Sequence, residues 1–273
     1  MKIKAVIATD KGIVKSVNQD ATMVKVANSK EYGRVALAAI CDGMGGLESG
    51  EVASSMMIKV LSNWFEETLP KLLVAGGDTA RLDNDASKED ITNTIIRQLI
   101  EVVDYANDSI VAYGKDRGIE LGTTVVAFLS IDKKFVIMNV GDSRIYSKSY
   151  DKDSVCITHD QSVVQKMIDE GKMTKEEAAN SDKKSILLQC VGVGNVVVPE
   201  FKKGYISLDT SFLLCSDGFW RLLDNKEIDA ALKEAISYDE EKINHKLNDM
   251  IYTLKNRNET DNISAIMITC IVE

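Results

Sequence analysis

Short runs dense in Val, Ile and aromatic residues predict strands at residues 3–9, 22–27, 35–41, 125–131, 135–140, 144–147, 212–215 and 263–272. The runs 125–131 and 135–140 are joined by Asp132-Lys133-Lys134, a polar connection of the length that closes an antiparallel hairpin. Helical periodicity covers 48–73, 88–113, 226–236 and 240–257. These helices come in two batches rather than one after each strand, so a doubly wound parallel sheet is not expected. The pattern predicts segregated layers, with helices outside two packed sheets. Residues 74–87 are small, polar and acidic and read as a surface loop; Asp83 and Asp85 there lack the other ligands of a calcium-binding loop. Residues 159–194 form a polar insert with two short helices, 162–170 and 174–179, the second capped by Thr174 with Glu177 three residues on. An insert of that kind is a candidate flap.

A chain of 273 residues with 45% hydrophobic content can bury one large core, and one domain, 1–273, is expected. A net charge of -9 without basic runs argues against nucleic acid as a partner. Cys41, Cys156, Cys190, Cys215 and Cys270 are odd in number and mostly flanked by apolar residues, so they read as reduced core side chains in a cytoplasmic protein. The N-terminal apolar run is too short for a signal peptide, and no stretch approaches the ~20 residues of a membrane span.

Chemistry enters with four acidic turns at the edges of apolar runs: Asn18-Gln19-Asp20, Asp42-Gly43-Met44-Gly45-Gly46, Ser216-Asp217-Gly218 and Thr260-Asp261-Asn262. Gathering such carboxylates costs on the order of 1 to 4 kcal/mol per close pair unless cations or protons neutralise them. Hard divalent ions suit an all-oxygen donor set.

The motifs, in their order, resemble the metal-dependent protein phosphatases of the protein phosphatase 2C family in their bacterial form. They are Thr9-Asp10-Lys11-Gly12 with Asn18-Gln19-Asp20, Asp42-Gly43-Met44-Gly45-Gly46 with Ser49-Gly50-Glu51, Gly122-Thr123-Thr124, Gly141-Asp142-Ser143-Arg144, Thr158-His159-Asp160-Gln161-Ser162, Ser216-Asp217-Gly218 and Asp261-Asn262-Ile263-Ser264. The resemblance implies an α+β fold, a four-layer α-β-β-α sandwich of two antiparallel sheets flanked by pairs of helices. It implies that Asp42 bridges two Mn2+ or Mg2+ ions, that the Gly43 carbonyl completes one of them and that Asp217 and Asp261 bind the other. Asp20 would hold a metal-bound water. Two ions roughly 3.5 to 4 Å apart activate a bridging water for in-line attack on a phosphoryl group, with no nucleophilic side chain. The implied substrates are phosphorylated Ser/Thr proteins made by a Ser/Thr kinase, and the implied state is a monomer.

Several positions depart from the family pattern. Lys15 stands where relatives place a phosphate-gripping arginine, giving a point charge instead of a bidentate fork. Gln19 replaces a glutamate of some relatives, and Met44 and Leu47 occupy places where others carry histidine. His159 and His245 lie outside the metal motifs, which leaves no histidine to protonate the leaving group. Asp142 and Arg144 read as an ion pair within a turn. Glu120 lies near the place of a third-metal aspartate in bacterial relatives, with Asp116 as a competitor. The main alternative is a catalytically weak, phosphatase-like module that binds phosphoproteins; another is a different hydrolase on the same metal site.

Overall fold

Strand β3 (Gly33–Gly45) shows how the layers arise. Leu37, Ala39 and Cys41 belong to one hydrophobic layer, while Ala38 and Ile40 belong to another. All five are fully buried, so the strand reads as an unbroken apolar run instead of an alternation. The computed structural model describes residues 1–45, 49–74 and 91–272.

Strand β3 lies beside β2 (Asp20–Ser29) and β5 (Val125–Ile131), followed by β6 (Lys134–Val140) and the edge strand β9 (Glu200–Tyr205). The short β4 (Leu121–Thr123) pairs with the end of β3. The second sheet has the order β1 (Lys2–Asp10), β11 (Ile263–Ile271), β10 (Thr210–Cys215), β7 (Arg144–Ser149) and β8 (Val155–Cys156). Every strand pairing among the described residues is antiparallel.

Helix α1 (Gly50–Asn63), prolonged through a π-helical turn at Trp64–Thr68, packs with α2 (Ile91–Arg117) on the first sheet. Trp64 and Phe65 on this turn are both buried in the core. Between the sheets, Phe128 and Phe212 meet with ring centroids 4.4 Å apart among Ile40, Leu214 and Ile266. The insert carries α3 (Val163–Asp169) and α4 (Lys175–Ala179); α5 (Asp217–Trp220) is a single turn. Helices α6 (Asn225–Ser237) and α7 (Glu240–Asn256) cover the second sheet through Leu232 and Leu247. The result is the expected sandwich of helices, sheet, sheet and helices. None of the described helices is long and apolar enough to cross a membrane.

Three strands were not expected from the sequence. Strands β4 and β8 are three and two residues long, and β9 is a lysine-bearing edge strand without apolar alternation. The capping box on α4 forms as expected. The insert is joined to the body by a hydrogen-bonded neck: Gln161 N donates to Gly141 O at 2.9 Å, Leu188 N to Gln161 O at 2.8 Å and Val163 N to Ile186 O at 2.9 Å. All five cysteines are free, but only Cys41, Cys215 and Cys270 are core residues; Cys156 is exposed and Cys190 half-buried. The expected loop at 74–87 lies, apart from Val74, outside the described residues, as does Leu47.

Candidate metal centre

Antiparallel pairing brings one end of several strands together. Asp20 opens β2 and is the direct partner of Asp42 near the end of β3. At the same end, β6 finishes at Val140 opposite Val125, and Asp142 follows two residues later. In the other sheet, Cys215 at the end of β10 faces Ala265 near the start of β11, so Asp217 and Asp261 emerge side by side. Lys15, Gln19, Asp42, Gly43, Met44, Thr124, Asp142, Asp217 and Asp261 line one cavity of about 170 Å3, with Ser185 and Leu187 of the insert at its edge. Asp20 is not part of the lining; its Oδ2 accepts a hydrogen bond from Ser216 Oγ at 2.9 Å.

Close backbone contacts explain the glycines of the acidic turns. A Cβ at Gly43 would stand 2.1 Å from Gly50 O, and a Cβ at Gly50 would stand 2.6 Å from Gly43 O, crowding that carbonyl. A Cβ at Gly218 would stand 2.1 Å from Asn262 O. Asn262 fastens the loop before β2, accepting from Gln19 N at 2.8 Å and donating to Lys11 O at 2.9 Å and Val17 O at 3.1 Å. Thr124 Oγ1 accepts from Asp42 N at 3.0 Å and Thr123 Oγ1 donates to Asp42 O at 3.0 Å. Asp42 is thus fixed through its backbone, which leaves its carboxylate to face the cavity.

The carboxylates burden one another. Burial, followed by the charges of Asp20, Asp142 and Asp261, pushes Asp42 well above the ordinary carboxylate range; Arg221 opposes this. Burial also raises Asp20 to about 6, with Asp261 adding to the shift, and Asp142 to about 6, with Asp160 adding to it. Two cations partly compensate: Lys15 Nζ is 3.0 Å from Asp261 Oδ1, and Arg221 pairs with Asp217 Oδ2. With the carboxylates so held, no three acidic, histidine or cysteine side chains among the described residues close around one point as a ready cage.

The donor set nevertheless fits a hard divalent cation. Asp42, Asp142, Asp217 and Asp261 line one cavity with Gly43, and the buried Oδ1 atoms of Asp20 and Asp217 have no hydrogen-bond partner. An orphaned buried carboxylate oxygen is costly, and a cation relieves that cost.

Six of the seven expected site residues gather here: Lys15, Asp20, Asp42, Gly43, Asp217 and Asp261. Glu120 does not. It is exposed and lines a separate hollow with Gly114, Gly118 and Gly192. Asp142 occupies the centre instead, which corrects its expected pairing with Arg144. Arg144 forms a bidentate pair with Asp160, at 2.9 and 2.7 Å, and lies 3.3 Å from the ring centroid of Trp220. Trp220 Nε1 donates to Asp142 O at 3.1 Å, so the cluster holds the Asp142 backbone and leaves its carboxylate to the cavity. Arg221 was also missed, although its place four residues after Asp217 was a legible signal for a helical ion pair. His159 bonds Asp169 at 2.8 Å on the exposed insert and does not line this cavity.

The sequence profile of the family described as protein phosphatase 2C matches residues 12–252. A serine/threonine phosphatase stp of Listeria innocua is 31% identical over 261 residues, covering 95% of this chain and 93% of that protein. The solved serine/threonine phosphatase of S. agalactiae superposes with a TM-score of 0.76 at 27% identity, covering 100% of both chains. The catalytic domain of the phosphatase PstP, solved in complex with 2 manganese ions, superposes with a TM-score of 0.74 at 25% identity over 99% of both chains. With the family profile matched over residues 12–252 and the fold shared with solved serine/threonine phosphatases, the chain belongs to the protein phosphatase 2C family.

Proposed function

We propose that this protein is a serine/threonine protein phosphatase that hydrolyses phosphoserine and phosphothreonine in proteins, using two Mn2+ or Mg2+ ions. The observation that carries the reading is the convergence of Asp42, Asp142, Asp217 and Asp261 on one cavity, with buried carboxylate oxygens that lack partners. Asp42, Gly43, Asp217 and Asp261 would hold the two ions, and Asp20 would orient water from behind Asp42. Asp142 is a better placed candidate than Glu120 for a third ion. Bound there, the ions would supply an activated water for in-line attack and neutralise the phosphoryl charge.

The protein's own groups account for the rest. Lys15 reaches the cavity and can turn from Asp261 to a substrate phosphate. No cysteine among the described residues lines the acidic cavity, and burial pushes the thiols of all five cysteines above their ordinary range, Cys41 and Cys215 furthest, which argues against a cysteine nucleophile. A groove of about 590 Å3 between the insert and the Tyr146, Trp220 and Ile228 wall adjoins the cavity at Asp142 and gives room for the polypeptide around the phosphoresidue. The phosphoproteins that fit this chemistry are products of a Ser/Thr kinase, and the free thiols suit the cytoplasm.

The deciding assay offers phosphoserine, phosphothreonine and phosphotyrosine peptides to purified protein with Mn2+, Mg2+ or EDTA. Turnover of the first two with metal, slower turnover of the third and none in EDTA are expected. Undiminished hydrolysis in EDTA would sink the proposal.

A further inference from the structure

Arg221 stands at the C-terminal end of α5, one helical turn after Asp217. Its guanidinium meets Asp217 Oδ2, and its backbone N–H donates to Asp217 O at 2.9 Å. The other carboxylate oxygen, Asp217 Oδ1, is buried and has no hydrogen-bond partner. One oxygen is therefore held and the other is left without a protein partner, on a residue that lines the acidic cavity.

The opposite side of the guanidinium is also organised. Arg221 Nη1 is 3.9 Å from Glu259 Oε1, a carboxylate only 3% exposed, within ion-pair reach but beyond hydrogen-bond distance, and Oε1 accepts from Thr260 N at 2.8 Å and Asp261 N at 3.0 Å. Arg221 thus spans from the α5 carboxylate to the turn that presents Asp261.

We infer that Arg221 is a positioning residue for metal binding: it fixes the Asp217 carboxylate so that Oδ1 faces the ion, and it ties α5 to the Glu259–Asp261 turn. The inference rests on the metal-centre reading above. A carboxylate held at one oxygen gives up less rotational freedom on binding an ion at the other, which is how outer partners of metal ligands raise affinity. Lysine would keep the charge but lose the planar guanidinium that bonds Asp217 while lying beside Glu259.

Calorimetric titration of the metal-free protein with Mn2+ tests this, with melting curves confirming that each variant is folded. Arg221→Gln should weaken Mn2+ binding by about tenfold to a hundredfold, and Arg221→Lys should lose less. On an Asp217→Asn background, adding Arg221→Gln should change affinity by less than about twofold, because the carboxylate it positions is gone. If Arg221→Gln does not fold, the same cycle with Arg221→Lys decides. Unchanged affinity in the single variant would make Arg221 a structural ion-pair partner only, and tighter binding would make it a competitor of the ion; either overturns the inference. Failure of the wild-type protein to bind Mn2+ would instead overturn the metal centre itself.

Discussion

Asp20 and Asp42 are direct partners on one rung of the β2–β3 ladder, two acidic side chains placed opposite each other where a strand pair normally avoids like charges. They differ in what surrounds them. Asp42 lines the cavity, whereas Asp20 lies outside its lining and accepts a hydrogen bond from Ser216.

That difference predicts a hierarchy. Asp20→Asn should lower activity and Mn2+ affinity by about tenfold to a hundredfold, as expected of a residue that orients what the ligands hold. Asp42→Asn should cost more in both, because it removes a carboxylate that faces the ions directly. Calorimetry and phosphopeptide kinetics on both variants measure this; equal losses would show the two roles to be wrongly divided.

The raised carboxylates predict an unusual pH dependence in the metal-free protein. Asp20 and Asp142 titrate at about 6 and Asp42 well above its ordinary range, against roughly 3.9 for an unfolded aspartate. Between these values the folded state binds more protons than the unfolded state, so stability falls as pH rises through the window. In EDTA the protein should melt at a higher temperature near about pH 5 than near pH 7.5. Below about pH 4 the trend reverses, because groups such as Asp229, held low by its hydrogen bond from Lys148, become protonated. Saturating Mn2+ should remove the advantage of low pH, since ligation needs ionised carboxylates.

Lys15 is predicted to act on phosphate more than on metal. Lys15→Ala should raise KM for phosphopeptides by about tenfold and leave Mn2+ affinity within about twofold, while Lys15→Arg should restore or tighten substrate binding through a bidentate fork. Wild-type kinetics in Lys15→Ala would reduce this residue to a partner of Asp261.

Arg144 should be a stability residue. Arg144→Ala leaves Asp160, whose side chain is 9% exposed, without its bidentate partner and removes the stacking on Trp220. A loss of about 2 to 4 kcal/mol in urea unfolding is expected. In a double-mutant cycle with Asp160→Asn the two losses should be strongly non-additive. Simple additivity would mean that the pair contributes little.

The neck of the insert defines how it can be cut. Replacing residues 165–184 with a short Gly/Ser linker keeps the Val163–Ile186 and Gln161–Leu188 hydrogen bonds, so the domain should still fold. Turnover of phosphopeptides should fall severalfold while p-nitrophenyl phosphate, which needs no peptide groove, should be hydrolysed at nearly the original rate. Equal effects on both substrates would argue against substrate selection by the insert.

Apolar runs, helix periodicity and acidic turns were legible because they are local. A strand buried on both faces must be continuously apolar, as residues 35–41 are, and an aspartate beside glycine at a strand edge marks a turn whatever lies across from it. The seven motifs in their order therefore carried the resemblance to the family, and the fold brings the aspartates among them, Asp20, Asp42, Asp217 and Asp261, to one end of the sandwich. What the sequence could not decide was which charge meets which. Arg144 could have paired with Asp142 two residues away, yet strand β7 and the insert direct it to Asp160 and free Asp142 for the cavity. Glu120 lies close in sequence to the Gly122–Thr124 motif but turns to another hollow. Lys15 finds Asp261, and Arg221 reaches toward Glu259, only because β1 and β10 flank β11 in one sheet and bring turns distant in sequence to one end of it. Charge pairing depends on distance and dielectric in three dimensions, and those are set by strand register and packing rather than by neighbourhood in the chain.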